Sequence, residues 1–225
     1  MFAARPLPEP DASSLMTWDE WLEFEDRSEV KHEFRPFTTR SAGGEVLGKL
    51  VAMTGTTVAH NLTAKNIARI LDDELLEKDC HVYQESIKTR LPDSRGVYPD
   101  VMAVCGERRY EPRLHGDSPL VLLNPQVIFE ISSESTDGYD RGDKGRAYRD
   151  MESVREYFIV PPDGRPVDRY RRAGEDWVIE SFAIEDGPIP VATFGVAIPW
   201  QELLRKVDLE DEVAERLTAA PRSTG

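Results

Sequence analysis

Two carboxylates in this chain occupy positions where an ionised acid is costly. Asp100 follows Pro99 at the head of the apolar run "VMAV", and Glu130 interrupts the apolar run "VIFEIS". A charged acid in a buried strand is destabilising unless it is paired or binds a metal. Two such acids on neighbouring strands can converge on one ion, and carboxylates, water and substrate phosphate are the usual surroundings of Mg2+. Each acid has a second reading. Asp100 can cap the turn after Pro99, and Glu130 can pair with an arginine or point outward from an edge strand. Lys144 follows near the start of the next helix. If that helix packs on the sheet, its ammonium faces the end of the preceding strand, where it can orient a water or neutralise charge on a phosphoryl group. The alternative is a solvated lysine in a mixed-charge helix. Tyr148 shares the helical face of Lys144 and can support the site or simply pack.

The flanking patterns describe the elements that must hold these residues. "VYPDVMAVC" and "PQVIFEIS" read as inner strands, because near-continuous apolar runs imply cover on both faces. A polar helix over roughly residues 139–151 follows, then a buried strand "REYFIV" and a turn "PPDGRP". "VDRYRR" and "DWVIESFA" read as an antiparallel pair, and "IPWQELL" as a closing helix. Upstream, "MTWDEWLEFED" carries a capping box of Thr17 and Glu20, with Trp18, Trp21 and Leu22 on one face. "EVKHEFRPF" and "EVLGKLVAM" predict a hairpin closed through Gly43 and Gly44. Val58, Leu62, Ile67, Ile70, Leu71 and Leu75 fall at helical spacing and predict a long helix from about Thr57 to Glu77. "HVYQESIKTRL" alternates as one strand, with Tyr83, Ile87 and Leu91 on one side and Gln84 on the other, from which Gln84 can reach the same pocket. This order predicts an α/β fold, a mixed β-sheet flanked by helices with a β-rich C-terminal extension. The expected division is a flexible N-terminal arm at 1–14, a folded domain at 15–207, and an acidic C-terminal helix and tail at 208–225.

Composition bounds the partners. Twenty-eight basic against 42 acidic residues give a formal net charge of −14, which argues against broad electrostatic capture of nucleic acid or an anionic membrane. A nucleic-acid enzyme still needs only a local basic lining or a bridging metal. Cys80 and Cys105 lie far apart and form no CxxC pair, so no disulfide framework, no structural zinc and a reducing cytoplasm are expected. The start "MFAARPLPEPDASS" lacks the features of a signal peptide, and no apolar run is long enough to span a bilayer. A cytoplasmic protein with no membrane partner and no organic cofactor is expected.

The ordered set "PD-VMAV", "VIFEISSEST" and "YDRGDKGRAYRDMESVREYFIV" resembles the Uma two family of restriction endonucleases, within the PD-(D/E)XK nuclease superfamily. "MTWDEWLEFE", "KHEF", "LVAMTG" and "AHN" match it in the same order, so the resemblance runs from about Met16 to Leu204. It implies a restriction-endonuclease-like fold with Asp100 and Glu130 as metal-binding acids. The superfamily's lysine stands two residues after the second acid, where this chain has Ser132; the resemblance implies that Lys144 in the following helix replaces it. Glu33 in "KHEF" matches an acid near the N-terminal hairpin, and a surface strand acid is its other reading. His60 and Asn61 match a family "HN" at the start of the long helix, as phosphate or rim contacts or else as capping residues. The link "RPFTTRSAGGEVLG" is longer than the family's tight turn, which leaves the register of Glu33 open.

The implied activity is metal-dependent hydrolysis of DNA phosphodiester bonds, with Asp100, Glu130 and Lys144 catalytic, Mg2+ as the cofactor and Mn2+ as a substitute. A homodimer is the simplest way to cut two strands. The competing reading is a catalytically inactive member of the fold working as a protein-interaction or weak DNA-binding module, which the acidic charge favours. A glycosidase pair of acids is a third reading. It lacks sugar-stacking aromatics near the acids and leaves Lys144 idle.

Overall fold

The structure is a computed structural model that describes residues 15–53, 55–112, 121–132 and 137–219. The expected arm at 1–14, the end of the tail and the "SEST" that follows Ser132 lie outside the described residues. In chain order the first elements are β1 (Leu15–Met16), α1 (Trp18–Glu25), β2 (His32–Arg40), β3 (Val46–Ala52) and α2 (Val58–Glu74). Then come β4 (Cys80–Gln84), β5 (Lys88–Arg90), β6 (Gly96–Val97), β7 (Val101–Cys105), β8 (Val121–Leu122) and β9 (Val127–Ile131). Two short helices follow, α3 (Asp137–Arg141) and α4 (Asp143–Arg149), then β10 (Glu156–Val160), β11 (Val167–Ala173) and β12 (Asp176–Phe182). The chain closes with β13 (Ile189–Val191), β14 (Val196–Ile198), α5 (Trp200–Leu203) and α6 (Asp211–Ala219).

The chain divides into two compact units. The first is built from the described residues among 15–55, 87–98 and 109–123. Its sheet runs β1-β3-β2-β6-β5-β8. The predicted capping box holds α1 at its start: Thr17 Oγ1 accepts from the Glu20 amide, and Glu20 Oε2 accepts from the Thr17 amide at 2.8 Å. Trp18, Trp21, Leu22 and Phe24 of this helix bury against Phe34, Leu50 and Tyr98. Gly96 is required under Trp21, since a Cβ there would lie 2.2 Å from the indole ring. The β2–β3 hairpin forms as expected.

The second unit comprises residues 56–86, 99–108 and 124 onward. Its sheet runs β12-β11-β10-β9-β7-β4, with β10 parallel to β9 and every other pair antiparallel. Thr57 caps α2 by accepting from the His60 amide. Ala64, Ile67 and Leu71 of α2 pack with Val101, Ala103, Val127, Phe129 and Phe158 on one face of the sheet. On the other face the Tyr148 ring of α4 lies 5.2 Å from that of Tyr157 of β10. The two inner strands are therefore covered on both sides, as their apolar runs require.

Three sequence expectations are corrected. "HVYQESIKTRL" is not one strand: β4 ends at Gln84 and β5 begins at Lys88 in the other unit's sheet. Glu85 takes a left-handed backbone, φ 51°, which breaks the alternation. "VYPDVMAVC" likewise splits at Pro99–Asp100, between β6 and β7, because proline supplies no ladder donor. The polar helix is two helices parted at Gly142, where a Cβ would meet the Gly138 carbonyl oxygen at 2.7 Å. A further correction concerns the cysteines. Cys80 and Cys105 are directly opposed on β4 and β7 and form a disulfide. Pairing between strands distant in sequence is invisible to spacing rules that look for CxxC. Among the described residues no helix is long and apolar enough to cross a membrane.

Candidate active site

The register of the second unit's sheet sets a row of acids at one end of three strands. Val101 pairs with Phe129, so Asp100 lies opposite Glu130 one step beyond the last bonded pair. Gln84 pairs with Val101, so Glu85 lies opposite Asp100, and the Glu85 amide donates to the Asp100 carbonyl oxygen at 3.1 Å. Asp100 is buried, and its Oδ2 accepts from the Ile131 amide at 2.7 Å. His60, at the start of α2, brings Nε2 to 3.2 Å from the same oxygen. One carboxylate is thus fixed by the neighbouring strand and by the helix.

Glu130 is 3 % exposed and faces α4. Lys144 Nζ lies 2.9 Å from its Oε1, and the Tyr148 hydroxyl donates to the same oxygen at 2.6 Å. Lys144 is itself buried, with Asp140 at 3.9 Å one turn earlier. The Asp140 carbonyl oxygen accepts from the Tyr157 hydroxyl at 2.9 Å. Gly145 allows this crowding, since a Cβ there would meet the Asp140 carbonyl oxygen at 2.2 Å. Burial pushes the Glu130 carboxyl well above its usual range, with Asp100 and Asp140 adding to the rise and Lys144 and Tyr148 opposing it. For His60, burial acts downward, but the hydrogen bond to Asp100 and the charges of Asp100, Glu85 and Asp140 prevail and hold the imidazole above its ordinary range. The Glu130 shift reports its burial first, whereas the His60 shift reports the negative charge around it at this strand end.

The donor chemistry fits a divalent cation. One imidazole and two carboxylates, from His60, Glu85 and Asp100, place ligand atoms within 4.8 Å of one another. Five of the sequence candidates, Asp100, Glu130, Lys144, His60 and Tyr148, occupy this strand end. Gln84 ends β4 one residue before Glu85, opposite Val101. Asn61 is exposed on α2. Glu33 belongs to the other unit, where it is buried and paired with Arg35 at 3.0 Å. Sequence reasoning missed Glu85 and Asp140. The spacing of Asp140 four residues before Lys144 was a usable signal, whereas Glu85 was hidden inside a run that alternates like a strand.

Comparison with known proteins gives the chain its family and its fold. The family model Uma2, described as "Putative restriction endonuclease", matches residues 38–201. The chain belongs to this family. Among curated relatives, the uncharacterized protein sll1609 of Synechocystis sp. (strain ATCC 27184 / PCC 6803 / Kazusa) is 24% identical over 179 residues, covering 79% of this chain and 93% of the relative. The uncharacterized protein slr1290 of the same strain is 25% identical over 170 residues, covering 75% and 80% respectively. The Uma2 chain also resembles a solved structure described as a "putative nuclease belonging to DUF820" from Anabaena variabilis ATCC 29413. The TM-score is 0.61 at 16% identity, over 84% of this chain and 97% of that one. The likeness establishes the fold: a restriction-endonuclease-like mixed sheet flanked by helices, with the β11–β12 pair and β13–β14 extending it toward the C-terminus.

Proposed function

We propose that this Uma2 protein is a metal-dependent nuclease that hydrolyses phosphodiester bonds in DNA. The observation that carries the reading is the opposition of Asp100 and Glu130 across β7 and β9, with Lys144 brought to Glu130 from the following helix. Family membership and the fold of the solved relative point the same way. Asp100 and Glu130 are the expected anchors of the ion, Mg2+ or Mn2+. When bound, such a cation polarises a phosphoryl oxygen and makes a coordinated water more acidic. The protein's own groups do the rest. The Ile131 amide fixes the orientation of Asp100, and Tyr148 fixes that of Glu130. Lys144, held at Glu130, presents a positive charge where negative charge grows on the phosphoryl group. No covalent enzyme intermediate is needed.

The test is cleavage of supercoiled plasmid by purified protein with Mg2+ or Mn2+. Asp100→Asn, Glu130→Gln and Lys144→Met should each abolish nicking. Nicking that persists in all three folded variants would overturn the assignment. A folded wild type that binds DNA but never cuts it would favour the binding-module reading. Sedimentation with and without DNA reads the expected homodimer.

A further inference from the structure

The strand end gathers one nitrogen donor among its oxygens, and that bears on which cation it takes. Three donors come from three separate elements: His60 from the first turn of α2, Glu85 from the turn that ends β4, and Asp100 from the head of β7. Their ligand atoms lie within 4.8 Å of one another. Two ligands at right angles on an ion with bonds of about 2.0–2.2 Å stand about 3 Å apart, and opposed ligands about 4.3 Å apart. The 3.2 Å between His60 Nε2 and Asp100 Oδ2 already has the first spacing. Only a small contraction brings the whole set to one centre.

A second observation concerns the same end of β9. Ser132 is 1 % exposed, and its Oγ has no hydrogen-bond partner among the described residues. By strand alternation it shares the face of Glu130, one residue past the Ile131 amide that holds Asp100. A buried hydroxyl without a partner is costly, and a water bound to a cation at this strand end would satisfy it. His60 Nδ1, also buried, is likewise without a partner among the described residues.

We propose that His60, Glu85 and Asp100 form a mixed nitrogen–oxygen site that holds a first-row transition dication in preference to Mg2+. The proposal shares Asp100 with the nuclease reading and takes His60 and Glu85 in place of Glu130, whose Oε1 is held by Lys144 and Tyr148; it rests on that reading for the purpose of the ion, but not for its binding. Magnesium is a hard cation that keeps its water and prefers oxygen, whereas imidazole suits the transition dications. The nitrogen of His60 is therefore the selecting group, and Glu85 supplies the charge that Asp100 alone lacks.

The experiment uses the full chain stripped with a chelator and titrated with Mn2+, followed by electron paramagnetic resonance of free and bound ion. One Mn2+ per chain is expected, and because Mn2+ is the weakest binder of the first-row series the preference is modest, with Mg2+ displacing it only at about a tenfold or greater excess. The bound ion should show nitrogen-14 modulation in spin-echo spectra, and His60→Gln should erase it. His60→Gln and Glu85→Gln should each weaken Mn2+ binding about tenfold or more, and His60→Asp should narrow the preference over Mg2+. Circular dichroism confirms that each variant is folded. Equal affinity for Mn2+ and Mg2+, absence of nitrogen modulation, or unchanged binding in folded His60→Gln would overturn the proposal. Mn2+ binding of the expected kind in a protein that never nicks plasmid would leave it standing and sink only the nuclease reading.

Discussion

Replacing Lys144 by methionine tests whether the Glu130 pair is a true buried ion pair. Both side chains are almost wholly buried, at 6% and 4% exposure, and their atoms are 2.9 Å apart. At an effective dielectric near 20, the attraction at that distance is about 6 kcal/mol. The burial penalty on both charges offsets much of it, so the pair's net contribution is smaller than its attraction. Removing only the lysine leaves Glu130 buried with the Tyr148 hydroxyl but no counter-charge, and such half-broken pairs cost about 3–5 kcal/mol. For a chain of this size each kcal/mol lowers the melting temperature by about 2–4 °C, so a fall of about 6–20 °C is expected. Glu130→Gln made in the Lys144→Met background should recover about 2 kcal/mol or more, because the amide oxygen can still accept from Tyr148 while the stranded charge is gone. Urea denaturation of the four proteins closes the cycle. A coupling energy below about 0.5 kcal/mol would refute the pair as a buried, interacting unit.

Three further outcomes follow from other features. Lys88 is buried over the rings of Tyr98 and Trp21, and burial lowers its pKa to about 8. Between about pH 8 and the unfolded value near 10.4 the unfolded chain binds the extra proton, so stability should rise with pH in that window. Lys88→Met should flatten the rise, read from denaturation midpoints at pH 7 to 10.5; an unchanged slope would remove Lys88 as its source. Reducing the Cys80–Cys105 bond, which spans a sequence separation of 25, should cost about 3.5 kcal/mol of stability on chain-entropy grounds. Two reactive thiols in the native, oxidised protein would contradict that. Gly145→Ala should destabilise by about 1–3 kcal/mol through its clash with the Asp140 carbonyl and should lower nicking as well; wild-type melting would show that α4 can shift freely.

How much of this was legible in the sequence depends on the range of each signal. The Thr17–Glu20 box and the α2 periodicity are local, and they form as read. The acids inside strands were legible because a charge in an apolar run is chemically conspicuous, and register then places Asp100 against Glu130. That Lys144 reaches Glu130 was suggested only by resemblance, since spacing alone favoured a solvated lysine. Glu85 and the disulfide were not legible for a common reason. Each depends on β4 pairing with β7, a contact across a chain excursion that no window of neighbouring residues encodes. The breaks at Glu85 and Pro99 follow from the same excursion, because the segment between them joins another sheet.

The disulfide has a geometric consequence for the strand end it does not touch. Cys80 and Cys105 open the β4–β7 ladder, and Gln84 and Val101 close it. A strand pair can slip by one residue, and each slip turns every side chain to the opposite face. A covalent bond between directly opposed residues forbids that slip. The bond therefore acts as a ruler: counted from it along both strands, Glu85 can meet Asp100 and no other residue. Under oxidation the alignment of the two acids is written into the covalent structure, while in the reduced chain it is left to hydrogen bonds and packing alone.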